Sequence, residues 1–206
     1  MSSMNVFDVL IIGGGVSGMQ CALILGSSKE KAYAKDKNIG IIFHQRASHL
    51  QNALFKNVLG IEPGTLGDQV LINGKNHLSS LYPNVTQLEG EKVIAIKETS
   101  GQQFKISTNK NEYLSHIVVV ALNYAKPFLI DGLDKYVEPH LRANPLKDRI
   151  QLKNNDHLIK KGLYACGTIA GWRSQFSIAA GSGASVATDI LTLWNNNTPT
   201  KIHDKK

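Results

Sequence analysis

The chain has 206 residues, of which 42% are apolar and 19% charged, with 18 glycines and 6 prolines. This is the balance of a globular protein with one sizeable core, too short for two full nucleotide-binding domains. No apolar run approaches the roughly 18 to 20 residues that cross a bilayer, and Met1 to Phe7 lacks the basic flank and apolar stretch of a secretory signal, so no membrane partner and a cytoplasmic location are expected. Lys plus Arg is 23 against 16 for Asp plus Glu, a net charge of +7, but the basic residues are dispersed with no recognition motif, which predicts a solvated surface and no nucleic-acid partner.

Residues 7–12 read Phe-Asp-Val-Leu-Ile-Ile, the composition of a strand buried on both faces of a parallel sheet. The glycine cluster Gly13-Gly14-Gly15-Val16-Ser17-Gly18 follows, and small and apolar residues over 19–25 predict a helix. Residues 38–43 predict a second strand. Residues 66–81 carry a helical pattern interrupted at Gly74 and stopped by Pro83. Residues 86–96, 103–108 and 113–122 predict an antiparallel meander, and the unalternating run 117–121 predicts a return to the parallel sheet. The stretch 123–157, with Pro127, Pro139 and Pro145, predicts an irregular linker over the surface. Residues 162–168 then form a short buried strand, and a helix over 175–194 is rich in Ala and Gly. The polar end, 195–206, predicts a frayed, flexible tail. The fold class is therefore α/β, a Rossmann-like parallel sheet with a small antiparallel β-meander, as a single domain built from 1–122 and 158–194.

The glycine turn is where this pattern meets chemistry. G-x-G-x-x-G at Gly13, Gly15 and Gly18, between a strand and a helix, is the dinucleotide-binding arrangement. The first glycine permits the turn, the second lets backbone approach a pyrophosphate, and the third lets helix and strand lie close. The helix N-terminus then offers free N–H groups to the phosphates. The competing reading is a glycine-rich turn with no ligand. An acidic residue is expected at the end of the second strand to hold the adenosine ribose, but the sequence there is Phe43-His44-Gln45-Arg46. His44 or Gln45 can bond a ribose and Arg46 can face a phosphate; the alternative is polar residues with no ligand role. Cys21 and Cys166 form no C-x-x-C pair, so two buried thiols are expected and no metal site. The sequence suggests no Ser-His-Asp set, and catalytic residues are not assigned.

Three segments in order resemble the FAD domain of the thioredoxin reductase-like group of pyridine nucleotide-disulfide oxidoreductases. They are 9–18, then Ala121-Leu122-Asn123 in place of the family's A-T-G, then 162–187. The last is similar to the family's G-x-Y-A-x-G-D strand, its Gln (Gln175) and its A-A-G-x-G-A helix (Ala179-Ala180-Gly181-Ser182-Gly183-Ala184). Asn57-Val58-Leu59-Gly60 stands where the family has a loop near the flavin. The resemblance implies an FAD/NAD(P)-binding fold, FAD as cofactor, and a site comprising Gly13, Gly15, Val16, Ser17, Gly18, His44, Gln45, Arg46, Asn57, Val93, Ala121, Gly167, Thr168, Gln175 and Phe176. The chain departs from the family in lacking the inserted NAD(P)H domain and the C-x-x-C dithiol, and in carrying Thr168 where the family has Asp. A flavin-dependent oxidoreductase is implied, supplied by an external small-molecule or protein electron donor, passing electrons to an external acceptor, and forming a homodimer. The alternative is a non-catalytic FAD- or nucleotide-binding module, and a simple NADP-binding protein ranks last. Trp172 and Arg173 stand where the isoalloxazine is implied, as pocket residues or as plain packing.

Overall fold

A computed structural model describes residues 5–43 and 49–203. In chain order the elements are β1 (Val6–Ile12), α1 (Val16–Ser27), β2 (Ile39–Phe43), β3 (Leu54–Phe55), β4 (Thr65–Leu66), α2 (Gly67–Leu81), β5 (Val85–Glu89) and β6 (Val93–Glu98). They continue with β7 (Phe104–Thr108), β8 (Glu112–Val120), β9 (Val137–Pro139), β10 (Ile150–Leu152), β11 (Leu158–Lys160), β12 (Leu163–Ala165) and α3 (Phe176–Trp194). The main sheet has the order β11-β12-β8-β1-β2-β5, parallel from β12 to β5. β8 divides its outer edge: residues 112–115 pair antiparallel with β7 and residues 118–120 pair parallel with β12.

The apolar runs explain this arrangement. Residues 9–12 and 118–120 have no exposed surface, as both faces of a covered parallel sheet require. Val9, Ile11, Ile117 and Val119 point toward α1 and α3, where they meet Cys21, Leu25, Ile190 and Leu191. Leu10, Ile12, Val118 and Val120 point the other way, into a second cluster with Phe104 and Ile106 of the meander. α3 is long and apolar enough to span a bilayer by length and composition, but Val186, Ala187, Ile190 and Leu191 are buried, as in a core helix.

Several expectations are corrected. The stretch 86–96 is two strands, because Gly90 turns the chain at φ +68°; β5 closes the parallel sheet and β6 begins the meander. α2 runs unbroken through Gly74, where a Cβ would stand 3.0 Å from Met19, so the missing side chain lets α1 and α2 approach. Residues 123–157 are no surface linker: Ile130, Leu133, Ile150 and Leu152 are buried in the second cluster, and β9 pairs with β10. Residues 195–203, after α3, lie on the body, with Tyr33 Oη 2.9 Å from Thr200 Oγ1 and Ile202 against the core.

Candidate functional site

At the end of β1 the Gly13 N–H donates to the Ile42 carbonyl at 2.9 Å. Gly13 has φ +117°, and a Cβ there would lie 2.5 Å from the Ala121 carbonyl oxygen. The turn is thus held between the ends of β2 and β8, in a backbone region that favours glycine. Gly15 is the extended N-cap residue of α1 and has no side chain to cap it, which leaves the first N–H groups of the helix open to another partner. Gly18 would place a Cβ 1.9 Å from the Gly13 carbonyl oxygen, so this glycine closes the turn upon the helix.

Above this turn lies a cleft of about 610 Å³ at the carboxyl ends of β1, β2, β5 and β8. Gly13, Gly14 and Gly15 line it, together with Ala121, Leu122 and Asn123 after the end of β8 and Lys92 and Val93 at the start of β6. β2 lies on one side of β1 and β8 on the other, so the cleft opens at the point where the strand order reverses, the binding crevice of open α/β sheets. A second cleft of about 520 Å³ lies beside it, lined by Val16, Met19, Gly60, Glu62, His77 and Phe176, and Leu71 borders both. Phe176 meets Phe55 edge-on, with ring centroids 5.1 Å apart.

The predicted residues divide among these surroundings. Gly13, Gly15, Val93 and Ala121 line the first cleft, Val16 and Phe176 the second. The glycine turn and the start of α3 therefore face two different, neighbouring clefts, which share Leu71 as a border. Ser17, Gly18 and Gly167 are buried in the junction of α1, β12 and α3: a Cβ on Gly167 would lie 2.5 Å from Ser17 Oγ, and one on Gly183 would lie 2.0 Å from the Ser17 carbonyl oxygen. Asn57 and Gln175 are exposed, Thr168 is half-buried, and none of the three lines either cleft. His44, Gln45 and Arg46 fall outside the described residues.

Trp172 is a packing residue: His157 stacks on it at 5.6 Å and the Arg142 guanidinium sits 4.8 Å from its ring, away from both clefts. Arg173 is exposed. The fold does assemble a Ser-His-Asp set that the sequence did not suggest. Ser182 Oγ is 2.9 Å from His157 Nε2, and His157 Nδ1 is 3.4 Å from Asp156. Ser182 is buried and accepts the Gly167 N–H at 2.8 Å, so it ties α3 to β12 and neither cleft reaches it. Burial holds His157 below its usual value despite Asp156 and Asp189. The thiols are free and buried. Burial pushes Cys166 up to about 12, and burial with Cys166 nearby raises Cys21, so both are poor nucleophiles. Among the described residues no His, Cys, Asp and Glu cluster suits a metal ion.

The sequence reading missed Lys75 and Glu89. Both line the first cleft, joined by an ion pair of 3.1 Å. Glu89 ends the strand beside β2, and that end position was the signal available for it.

No protein-family model matches the chain. Thioredoxin reductase tcpT of Claviceps purpurea (strain 20.1) is 27% identical over 110 residues, 52% of this chain and 31% of that protein. The chain thus spans less than a third of that curated relative. A thioredoxin reductase from Gloeobacter violaceus superposes with a TM-score of 0.73 at 13% identity, covering 98% of this chain and all of that one (100%). The fold is that of thioredoxin reductases. An oxidoreductase from Agrobacterium tumefaciens (TM-score 0.72, 14% identity, 92% of this chain and 99% of that one) and a ferredoxin-flavin thioredoxin reductase from Clostridium acetobutylicum (0.67, 16%, 94% and 99%) share it.

The dinucleotide end of an FAD fits the first cleft by its chemistry: backbone at Gly13 to Gly15 bare of side chains, a helix N-terminus whose N-cap residue offers no side chain, and a volume within the range of ligand pockets, about 300 to 1,000 Å³.

Proposed function

We propose that the chain binds FAD across the two clefts and acts as a flavin-dependent oxidoreductase of the thioredoxin reductase type, without a nicotinamide domain or redox dithiol of its own. The observation that carries this reading is the glycine turn at the strand-order reversal, opening on the 610 Å³ cleft. Gly13 to Gly15 and the start of α1 would hold the pyrophosphate, with the adenosine toward Lys92 and Val93 and the isoalloxazine toward Phe176. When bound, the flavin supplies electron transfer between an external donor and an external acceptor, neither of which the chain identifies. Val16, Met19 and Phe176 would give the ring an apolar wall in the second cleft, with Glu62 and His77 on its polar side. α3 has neither a capping side chain nor an acidic residue in its first turn, so its N–H groups favour negative charge nearby. A second copy of the chain is a further partner expected on this reading.

The test is the absorbance spectrum of the purified protein with and without added FAD. Flavin bands that co-elute with the protein are expected; a colourless protein that ignores FAD overturns the proposal. The buried, weakly acidic thiols favour one competing reading, a binding module without turnover. Bleaching of the bound flavin by NADH, NADPH or a thiol, with turnover to an added acceptor, excludes the module; no bleaching with any of these donors favours it.

A further inference from the structure

The first cleft holds a chain of contacts that leads away from the glycine turn. β2 ends at Phe43, and a Cβ on Gly14 would stand 2.0 Å from the Phe43 ring. Lys75 of α2 places its ammonium 4.4 Å from the centre of the same ring. That ammonium also pairs with Glu89 Oε1 at 3.1 Å. Glu89 is the last residue of β5 and stands in register opposite Phe43, and Gly14, Phe43, Lys75 and Glu89 all line the cleft. The acid that a dinucleotide site carries at the end of its second strand is absent from β2, and a carboxylate stands one strand further along, about 5 Å away.

We infer that Glu89 is the ribose-binding acid of this cleft, an assignment that rests on the FAD reading. Lys75 engages Oε1, and the carboxylate keeps acceptor capacity on both oxygens for the 2′- and 3′-hydroxyls. Lys75 is a positioning residue: seated over the Phe43 ring, it holds the paired Glu89 carboxylate beside Phe43 at the end of β5. The pair is not a stability device, since the two side chains are 35% and 60% exposed and exposed pairs contribute little. The arrangement also sets specificity. A 2′-phosphate would meet the Glu89 carboxylate, so the site selects a free 2′-hydroxyl; replacing Glu89 would leave Lys75 unpaired and ready for a phosphate.

The experiment measures equilibrium binding of FAD, ADP, 2′-deoxy-ADP and ADP bearing a 2′-phosphate to the wild type and to Glu89→Gln. The wild type is expected to prefer ADP to 2′-deoxy-ADP about tenfold, the size of one hydrogen bond to a charged group, and to bind the 2′-phosphate compound most weakly. Glu89→Gln should keep its melting temperature, lose the 2′-hydroxyl preference, weaken FAD about tenfold and bind the 2′-phosphate compound more tightly than the wild type does. If the wild type binds FAD but does not discriminate 2′-deoxy-ADP, or the variant discriminates as well as the wild type, the assignment of Glu89 is overturned while the FAD reading stands. A wild type that binds neither FAD nor ADP overturns both.

Discussion

Glu91 sits in the break between β5 and β6 with only 5% of its surface exposed, a position where desolvation alone would favour the protonated acid. Three donors reverse that outcome. Thr108 Oγ1 donates to Oε2 at 2.6 Å, while Tyr113 Oη and Asn111 Nδ2 donate to Oε1 at 2.6 and 3.0 Å. Burial is the largest influence and pushes the carboxyl up, but the three hydrogen bonds and nearby Lys110 leave it below its usual value. Burial and the same bond push Tyr113 up to about 12. With a folded value below the unfolded one, the carboxylate contributes stability that is present above the unfolded value and lost as pH falls through the folded one. Glu91→Gln is expected to cost about 1.5–3 kcal/mol at neutral pH, and the gap should narrow on acidification from about pH 6 to about pH 3. Denaturant titrations across that range decide it: a gap independent of pH would mean that shape, not charge, makes the difference. This network was not legible in the sequence, which reads 86–96 as one strand. The partners that make a buried carboxylate tolerable stand 17 to 22 positions away.

At the scale of elements, β1, its glycine turn and α1 were legible because each carries a local signal: an unalternating apolar run, a backbone requirement for glycine, then small residues for close packing. α3 was legible as a helix, but its glycines were not distinguishable, since the Ala-Ala-Gly-Ser-Gly-Ala pattern treats both alike. The fold separates them. A Cβ on Gly183 would lie 2.0 Å from the Ser17 carbonyl oxygen, whereas one on Gly181 meets nothing within 4 Å. Gly183 sets the closest approach of α3 to α1; Gly181 faces solvent and contributes only backbone freedom. Gly183→Ala should therefore destabilise by about 1–3 kcal/mol through overpacking against backbone. Gly181→Ala should stabilise by about 0.5–1 kcal/mol through helix propensity. Chemical denaturation of the two variants beside the wild type measures both, and equal effects would show that α3 does not press on α1 at Gly183.

Across the whole molecule, the sheet joins distant parts of the chain: β8 receives β1 on one edge and β7 and β12 on the other. The core cannot be split at the stretch where the sequence suggests a linker. Ile130, Leu133, Ile150 and Leu152 hold that stretch against the sheet, and the Ile150 N–H donates to the Tyr124 carbonyl at 3.0 Å. Pro127, Pro139 and Pro145 made the segment look like a surface crossing, because proline reports on backbone angles and says nothing about which flanking side chains are buried. Its most exposed large apolar side chains are Leu141 and Leu146, which are 79% and 94% accessible and stand in one turn. A protease site placed between those two residues should be cut in the native protein without releasing the halves, since the second half supplies β12 and α3 while the first supplies β8 and α1, against which they pack. Neither half alone can cover residues 118–120: separated, the first exposes their unpaired edge and the face that α3 covered, and the second keeps only the short β11–β12 pair with no larger sheet to join. The nicked protein is expected to elute at the mass of the intact chain, to part only in denaturant, and to unfold in one transition. Because Gly13 to Gly15, Phe43, Glu89 and Ala121 lie before the cut and Phe176 after it, the nicked form should respond to FAD as the intact form does. If residues 147–203 alone melt cooperatively, or if the halves separate in native buffer, the core is two units rather than one.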